Sequence, residues 1–261
     1  IFGIFSGRAG VDDVIKAMRG KIGERGEGDG HGGSLAQSRG GGKMPLSSRP
    51  LARRGALRQS GAMKALVLIL FTCPAFAGEP AQLITAARDQ VGVTVIYDPA
   101  YVSLTFPGGD IDPSHGVCTD VVIRALRASW GIDLQAAVNR DMKRAFSAYP
   151  NIWGMKTPDR NIDHRRVANL QRLFARAGAD LAVTSEPADY LPGDVVSWML
   201  PGNLPHIGIL SDRLAADGHP LVLHNIGRGA QEEDMLFAAP ITGHYRLTQA
   251  AQDWLLAMAK P

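Results

Sequence analysis

The chain has 261 residues, with 28 Lys or Arg, 25 Asp or Glu and 2 Cys. That length admits one or two domains, and two cysteines exclude a disulfide scaffold or a cysteine-rich zinc fold. The formal net charge of +3 is unevenly spread, so it does not point to nucleic acid.

Residues 1–62 hold 15 of the 30 glycines and 11 basic against 5 acidic side chains. Such a stretch lacks the apolar area to offset an ordering cost of roughly 1–2 kcal/mol per residue, and it is predicted to be disordered. Almost no aromatic residues are available for base stacking, which argues against a nucleic-acid tail. Residues 63–77 have the layout of a secretory signal peptide: basic Met63-Lys64, apolar Ala65 to Phe71, and small-x-small Ala75-Phe76-Ala77. Residues 1–62 are therefore read as a non-native upstream extension. The apolar run is far shorter than the ~20 residues of a membrane span, so no stable membrane anchor is expected. Export to the periplasm or beyond is.

Residues 78–261 hold 16 basic and 20 acidic side chains, and a single cysteine, Cys118. No internal disulfide can use that thiol, so it calls for another role. This stretch reads as one domain. Ala81 to Gln90 is predicted as a helix, and Val91 to Tyr97 alternates as a strand. A turn-rich loop, Phe106 to Pro113, leads to Cys118. Val121, Val122, Ala125 and Leu126 predict a helix over 118–129 with the cysteine in its first turn. Leu134, Val138, Met142 and Phe146 mark a helix capped by Asp133, and Val167, Leu170 and Phe174 mark one ending at Gly178. Segments 181–184, 194–198, 206–210, 220–224 and 241–247 are short, β-rich and separated by turns, which predicts an antiparallel sheet. Thr248 to Ala259 closes the chain as an amphipathic helix. Helices first and strands after predict an α+β domain.

A thiol is nucleophilic when ionised, and a helix start with a nearby imidazole lowers its pKa from about 8.5 to roughly 3.5–7.5. Cys118 has the helix start, and His206, opening a strand after the Pro201-Gly202-Asn203-Leu204 turn, offers the imidazole. The orienting third group is His224 or its neighbour Asn225, only one of which can face the site. No histidine pair has an HExxH-like spacing and the cysteine spacing of structural zinc is absent, so no metal and no cofactor is expected. Arg165, within Asp163-His164-Arg165-Arg166, suits an anionic group such as a peptide carboxylate, or else a structural ion pair.

Pro192-Gly193-Asp194 followed by a strand, then His206-Ile207-Gly208-Ile209, resembles the signature of the NlpC-like branch of papain-like cysteine peptidases. Cys118 fits its nucleophile, His224 its third triad member and Tyr97 its upstream tyrosine. Gly116-Val117-Cys118-Thr119-Asp120, Trp153-Gly154, Asn161 to Arg166, Leu200 to Gly208 and His224 to Gly227 are similar to the DUF1287 family across nearly all of 81–247. The resemblance implies a papain-like (NlpC-type) core with N-terminal helices packed on a C-terminal antiparallel sheet. It also implies an exported cysteine peptidase or amidase acting on a peptide or peptidoglycan-like substrate of the bacterial cell wall. Cys118, His206 and His224 are the expected catalytic residues; Asn225, Tyr97, Asp194, His164 and Arg165 are the expected orienting or substrate-binding ones. The alternative is an inactive envelope binding protein on the same fold, motivated by the negative charge that Asp120 brings near the thiol. The sequence sets no oligomeric state.

Overall fold

The computed structural model of the protein describes residues 79–260. The disordered extension and the signal peptide read at 1–62 and 63–77 lie outside those residues. Five α-helices and one six-stranded sheet, with a separate strand pair, make up the α+β architecture: α1 (Glu79–Arg88), β1 (Ile96–Tyr97), β2 (His115–Gly116), α2 (Cys118–Trp130), α3 (Leu134–Arg144), α4 (Val167–Arg176), β3 (Asp180–Leu181), β4 (Val195–Leu200), β5 (Leu204–Leu214), β6 (Pro220–Asn225), β7 (Ala230–Glu233), β8 (Ile241–Tyr245) and α5 (Gln249–Ala259). The large sheet runs β3-β8-β4-β5-β6-β7, every pairing antiparallel. No described helix is long and apolar enough to cross a membrane.

Alternation along the strands splits the core into two layers. Val195, Ile207, Ile209, Leu223 and Tyr245 pack with the helices around α2, whose Val121, Val122, Ala125 and Leu126 are fully buried. Burying each such Val or Leu contributes roughly 1.5–3 kcal/mol. Val196, Trp198, Leu210 and Val222 form the other layer with Tyr190, Met235 and Leu236.

Most expected elements are present within a few residues. Asp133 caps α3 by accepting from the Ala136 amide (3.2 Å), and Thr248 caps α5. Gly178 adopts φ 71° just past α4, as a left-handed stop requires. Two strand readings need correction. The alternating run 91–97 opens as a turn over residues 91–93, and only Ile96–Tyr97 forms a strand. The segment expected at 181–184 pairs only through Asp180 and Leu181. The polar edge strand β7 has no apolar alternation to announce it, and it exists because β6 supplies its hydrogen bonds.

Candidate functional site

His206 lies near the start of β5, directly across from Trp198 on β4. The Trp198 indole N–H donates to the Leu236 carbonyl (2.8 Å), which holds the ring as a wall 5.9 Å from the His206 ring. His224 lies near the end of β6. Its approach to β5 depends on Gly208, where a Cβ would stand 2.7 Å from Val222 Cγ1 and 3.1 Å from His224 Cβ. With that space open, His206 Nε2 and His224 Nδ1 come within 2.9 Å, the rings nearly perpendicular at 87°. Both imidazoles are buried, at 3 % and 1 % exposure. His206 therefore has Nε2 committed to His224, which leaves Nδ1 as its other ring nitrogen.

Cys118 begins α2 and meets β5 at the peptide that follows His206. Backbone amides of Ile207, Thr119 and Cys118 itself favour the thiolate form of the sulfur. Val117 has no side-chain acceptor, so the helix start is closed from within: Asp120 Oδ2 accepts from the Val117 amide (2.7 Å). Burial pushes the Cys118 thiol up to about 12; the Ile207 amide works against that rise, and the Asp120 carboxylate adds to it. Burial also pushes His206 well below the ordinary imidazole range, with His224 adding to the effect. The Cys118 thiol and the His206 imidazole are thus both neutral. This corrects the expectation of a thiol pKa lowered by the helix start, because desolvation outweighs the amides.

Tyr97 joins the site through strand pairing. It lies opposite Gly116 in the parallel β1–β2 pair, and this bridges the long sequence gap to Cys118. Burial, with the nearby Asp120 carboxylate adding to it, raises its phenol above the ordinary tyrosine range. Asn225 turns away from the imidazoles: its Nδ2 donates to the Gly116 carbonyl (3.0 Å), and its Oδ1 accepts from the Gly227 amide (3.1 Å). His224, not Asn225, therefore pairs with His206, while Asn225 ties β6 to the strand that leads into Cys118.

Three expected site residues have structural surroundings instead. Arg165 forks onto Asp120 at 3.0 and 2.9 Å and donates to the carbonyls of Ala100 and Asp98, with both ion-pair side chains 3 % exposed. Four of its five N–H groups are used in this way and the side chain is buried, so it is built into an ion pair and not turned toward a substrate carboxylate, and Asp120 is held as half of that pair. His164, beside it, is buried with Nδ1 unpartnered, and burial followed by Arg165 pushes its pKa down to about 3. Asp194 precedes β4 at the end of the sheet remote from His206, since Val195 pairs with Ile209 and Trp198 with His206. There it accepts from His244 (2.7 Å), twice from Arg246 (2.8 Å each) and from the Leu191 amide.

Trp198, Gly208 and Glu233 are parts of the site that the sequence did not reveal. Glu233 Oε2 stands 3.7 Å from His224 Nε2 and its carboxylate also pairs with Arg228. The only sequence signal for it is an acidic run, Glu232-Glu233-Asp234, shortly after His224. A cavity of about 640 Å³ is lined by Met142, Phe146, Tyr149, Trp153 and Arg166 among others, and by none of the thiol and imidazole residues. Among the described residues no group of three or more His, Cys, Asp or Glu is arranged to hold a metal ion.

Fold and site together define an α+β domain with a buried thiol at a helix start and a bonded imidazole pair on two adjacent strands. The chain belongs to the family described as "Domain of unknown function (DUF1287)", which matches residues 84–247, a span that includes Cys118, His206 and His224. It is 56% identical over 160 residues to the "Uncharacterized protein YijF" of Escherichia coli (strain K12), covering 61% of this chain and 78% of that protein. No solved structure matches it.

Proposed function

We propose that the protein is an exported cysteine hydrolase with a papain-like, NlpC-type core, cleaving an amide bond in a peptide of the cell wall. One observation carries the reading: His206 commits Nε2 to His224 at 2.9 Å, on the strand whose Ile207 packs in the same cluster as Cys118 at the start of α2. The arrangement supports a base, a nucleophile and an orienting group in one chain.

In this mechanism His206 Nδ1 takes the Sγ proton as the sulfur attacks the amide carbonyl. The backbone amide of Cys118 stabilises the resulting oxyanion. The C–N bond breaks as His206 returns the proton to the leaving amine, giving a thioester. Water, deprotonated by the same nitrogen, then releases the carboxylic product and the free thiol. With both groups neutral at rest, His206 acts as a general base toward the thiol instead of standing as a preformed ion pair. The cell-wall substrate draws on the export signal and the family resemblance.

A second reading, an envelope binding protein without catalysis, is favoured by the thiol pKa of about 12. The two separate on the alkylation rate of Cys118 by iodoacetamide from pH 6 to 10, in the full chain and in His206→Ala. Hydrolysis expects the rate below pH 8 to fall at least about tenfold in the variant, with amine release from muropeptides lost in parallel. Equal rates in both proteins, rising only in alkali, would leave the binding reading.

A further inference from the structure

Two neutral imidazoles joined by one hydrogen bond have two proton arrangements. Either His206 donates from Nε2 to His224 Nδ1, or His224 donates from Nδ1 to His206 Nε2. Only the first leaves His206 Nδ1 with a free lone pair. The bond itself does not choose between them, so the choice must come from the far side of His224.

That side is set by β7. His224 pairs with Gln231, and Val222 with Glu233, so Glu233 is a diagonal neighbour on the same face of the sheet. Its Oε2 is 3.7 Å from His224 Nε2. This is an electrostatic contact longer than a direct hydrogen bond, and Nε2 is buried with no other partner. An acceptor-only carboxylate facing a buried ring nitrogen favours a proton there. Arg228 pairs with the other oxygen, Oε1, and holds the group ionised and in place. The charged or titratable groups that face His224 from β5, β7 and the turn between β6 and β7 are thus His206, Glu233 and, through Glu233, Arg228.

We propose that Glu233 is a positioning residue that fixes the proton order of the site: His224 is protonated on Nε2, His206 is protonated on Nε2, and His206 Nδ1 is left bare. The proton order stands on the geometry alone. Its use as base chemistry toward Cys118 rests on the hydrolase reading.

The test is long-range ¹H–¹⁵N correlation on full chain labelled at histidine, at pH 8, above the ordinary imidazole pKa of about 6.5. Protonated and bare ring nitrogens are read directly for each ring. The wild type should show Nε2–H on both His206 and His224. In Glu233→Gln, whose amide can donate to His224 Nε2, His206 should shift toward the Nδ1–H form; Glu233→Asp should restore part of the original pattern. Nδ1–H on His206 in the wild type, or an unchanged pattern in a folded Glu233→Gln, overturns the proposal. Arg228→Gln, which frees the carboxylate without removing it, gives an independent check should Glu233→Gln fail to fold: it should blur the preference, and a pattern identical to wild type counts against the proposal. Cys118 alkylation at pH 8 should also slow roughly tenfold in Glu233→Gln. Tautomers as expected with alkylation unchanged would uphold the proton order and count against the hydrolase reading instead.

Discussion

The two ends of the large sheet carry the same residue types to opposite effect. At one end His244 stacks on Tyr190 (4.4 Å between centroids) and bonds Asp194, whose carboxylate is saturated by Arg246 and the Leu191 amide. Burial works to raise the Asp194 pKa, but Arg246 and His244 prevail and hold it below the usual carboxylate range. At the other end His224 faces Glu233 across 3.7 Å and passes its second nitrogen to His206. A histidine–carboxylate pair is a clamp when every donor and acceptor is used, and it is available for proton transfer when the chain of bonds ends on a bare nitrogen.

Asp194→Ala should separate the two ends most strongly. Removing one partner of a buried charged cluster strands Arg246 and His244, and should cost roughly 3–5 kcal/mol in urea unfolding. Cys118 alkylation in the folded protein should not change. A slowed thiol with stability intact would place Asp194 in the site after all.

His164 extends the contrast as a buried histidine with an unpartnered nitrogen. Its pKa is about 3 in the fold and about 6.5 unfolded. The unfolded chain therefore takes up a proton that the folded one refuses, and stability present above about pH 6.5 is lost as pH falls toward 3. At pH 4 the loss should approach about 3 kcal/mol as an upper figure. Urea midpoints at pH 7 and 4 should converge in His164→Gln relative to wild type; an equal acid loss in both proteins would show that other groups carry it.

Gly208→Ala should have the smallest effect on stability, about 1–3 kcal/mol from the close contacts of the added methyl group. Its consequence for the site should be larger, because β6 must give way where His224 sits. Loss of the His206–His224 proton coupling in the same ¹⁵N spectra is the expected sign, and an unchanged coupling would mean that the strands absorb the methyl elsewhere.

The helices are legible in the sequence because their signals are local. Asp133 before an apolar repeat, Gly178 after one, and a 3.6-residue period in 121–126 all act within a few residues. Cys118 at a helix start, and His206 and His224 on neighbouring strands, come from the same signals. The choice of His224 over Asn225 does not, because it depends on Asn225 meeting Gly116, more than a hundred residues away in sequence. Arg165 reads equally well as an anion fork or an ion-pair partner; its pairing with Asp120 decides for the second.

Element order, the α+β class and the placement of one thiol and two imidazoles were set at the level of sequence, since periodicity, caps and turn residues are written in adjacent positions. The protonation chemistry came from tertiary packing. Burial raised the thiol, lowered His206 and His164, saturated Asp194 and left a gap at Glu233, and each of these depends on which distant groups the packing brings within a few ångströms.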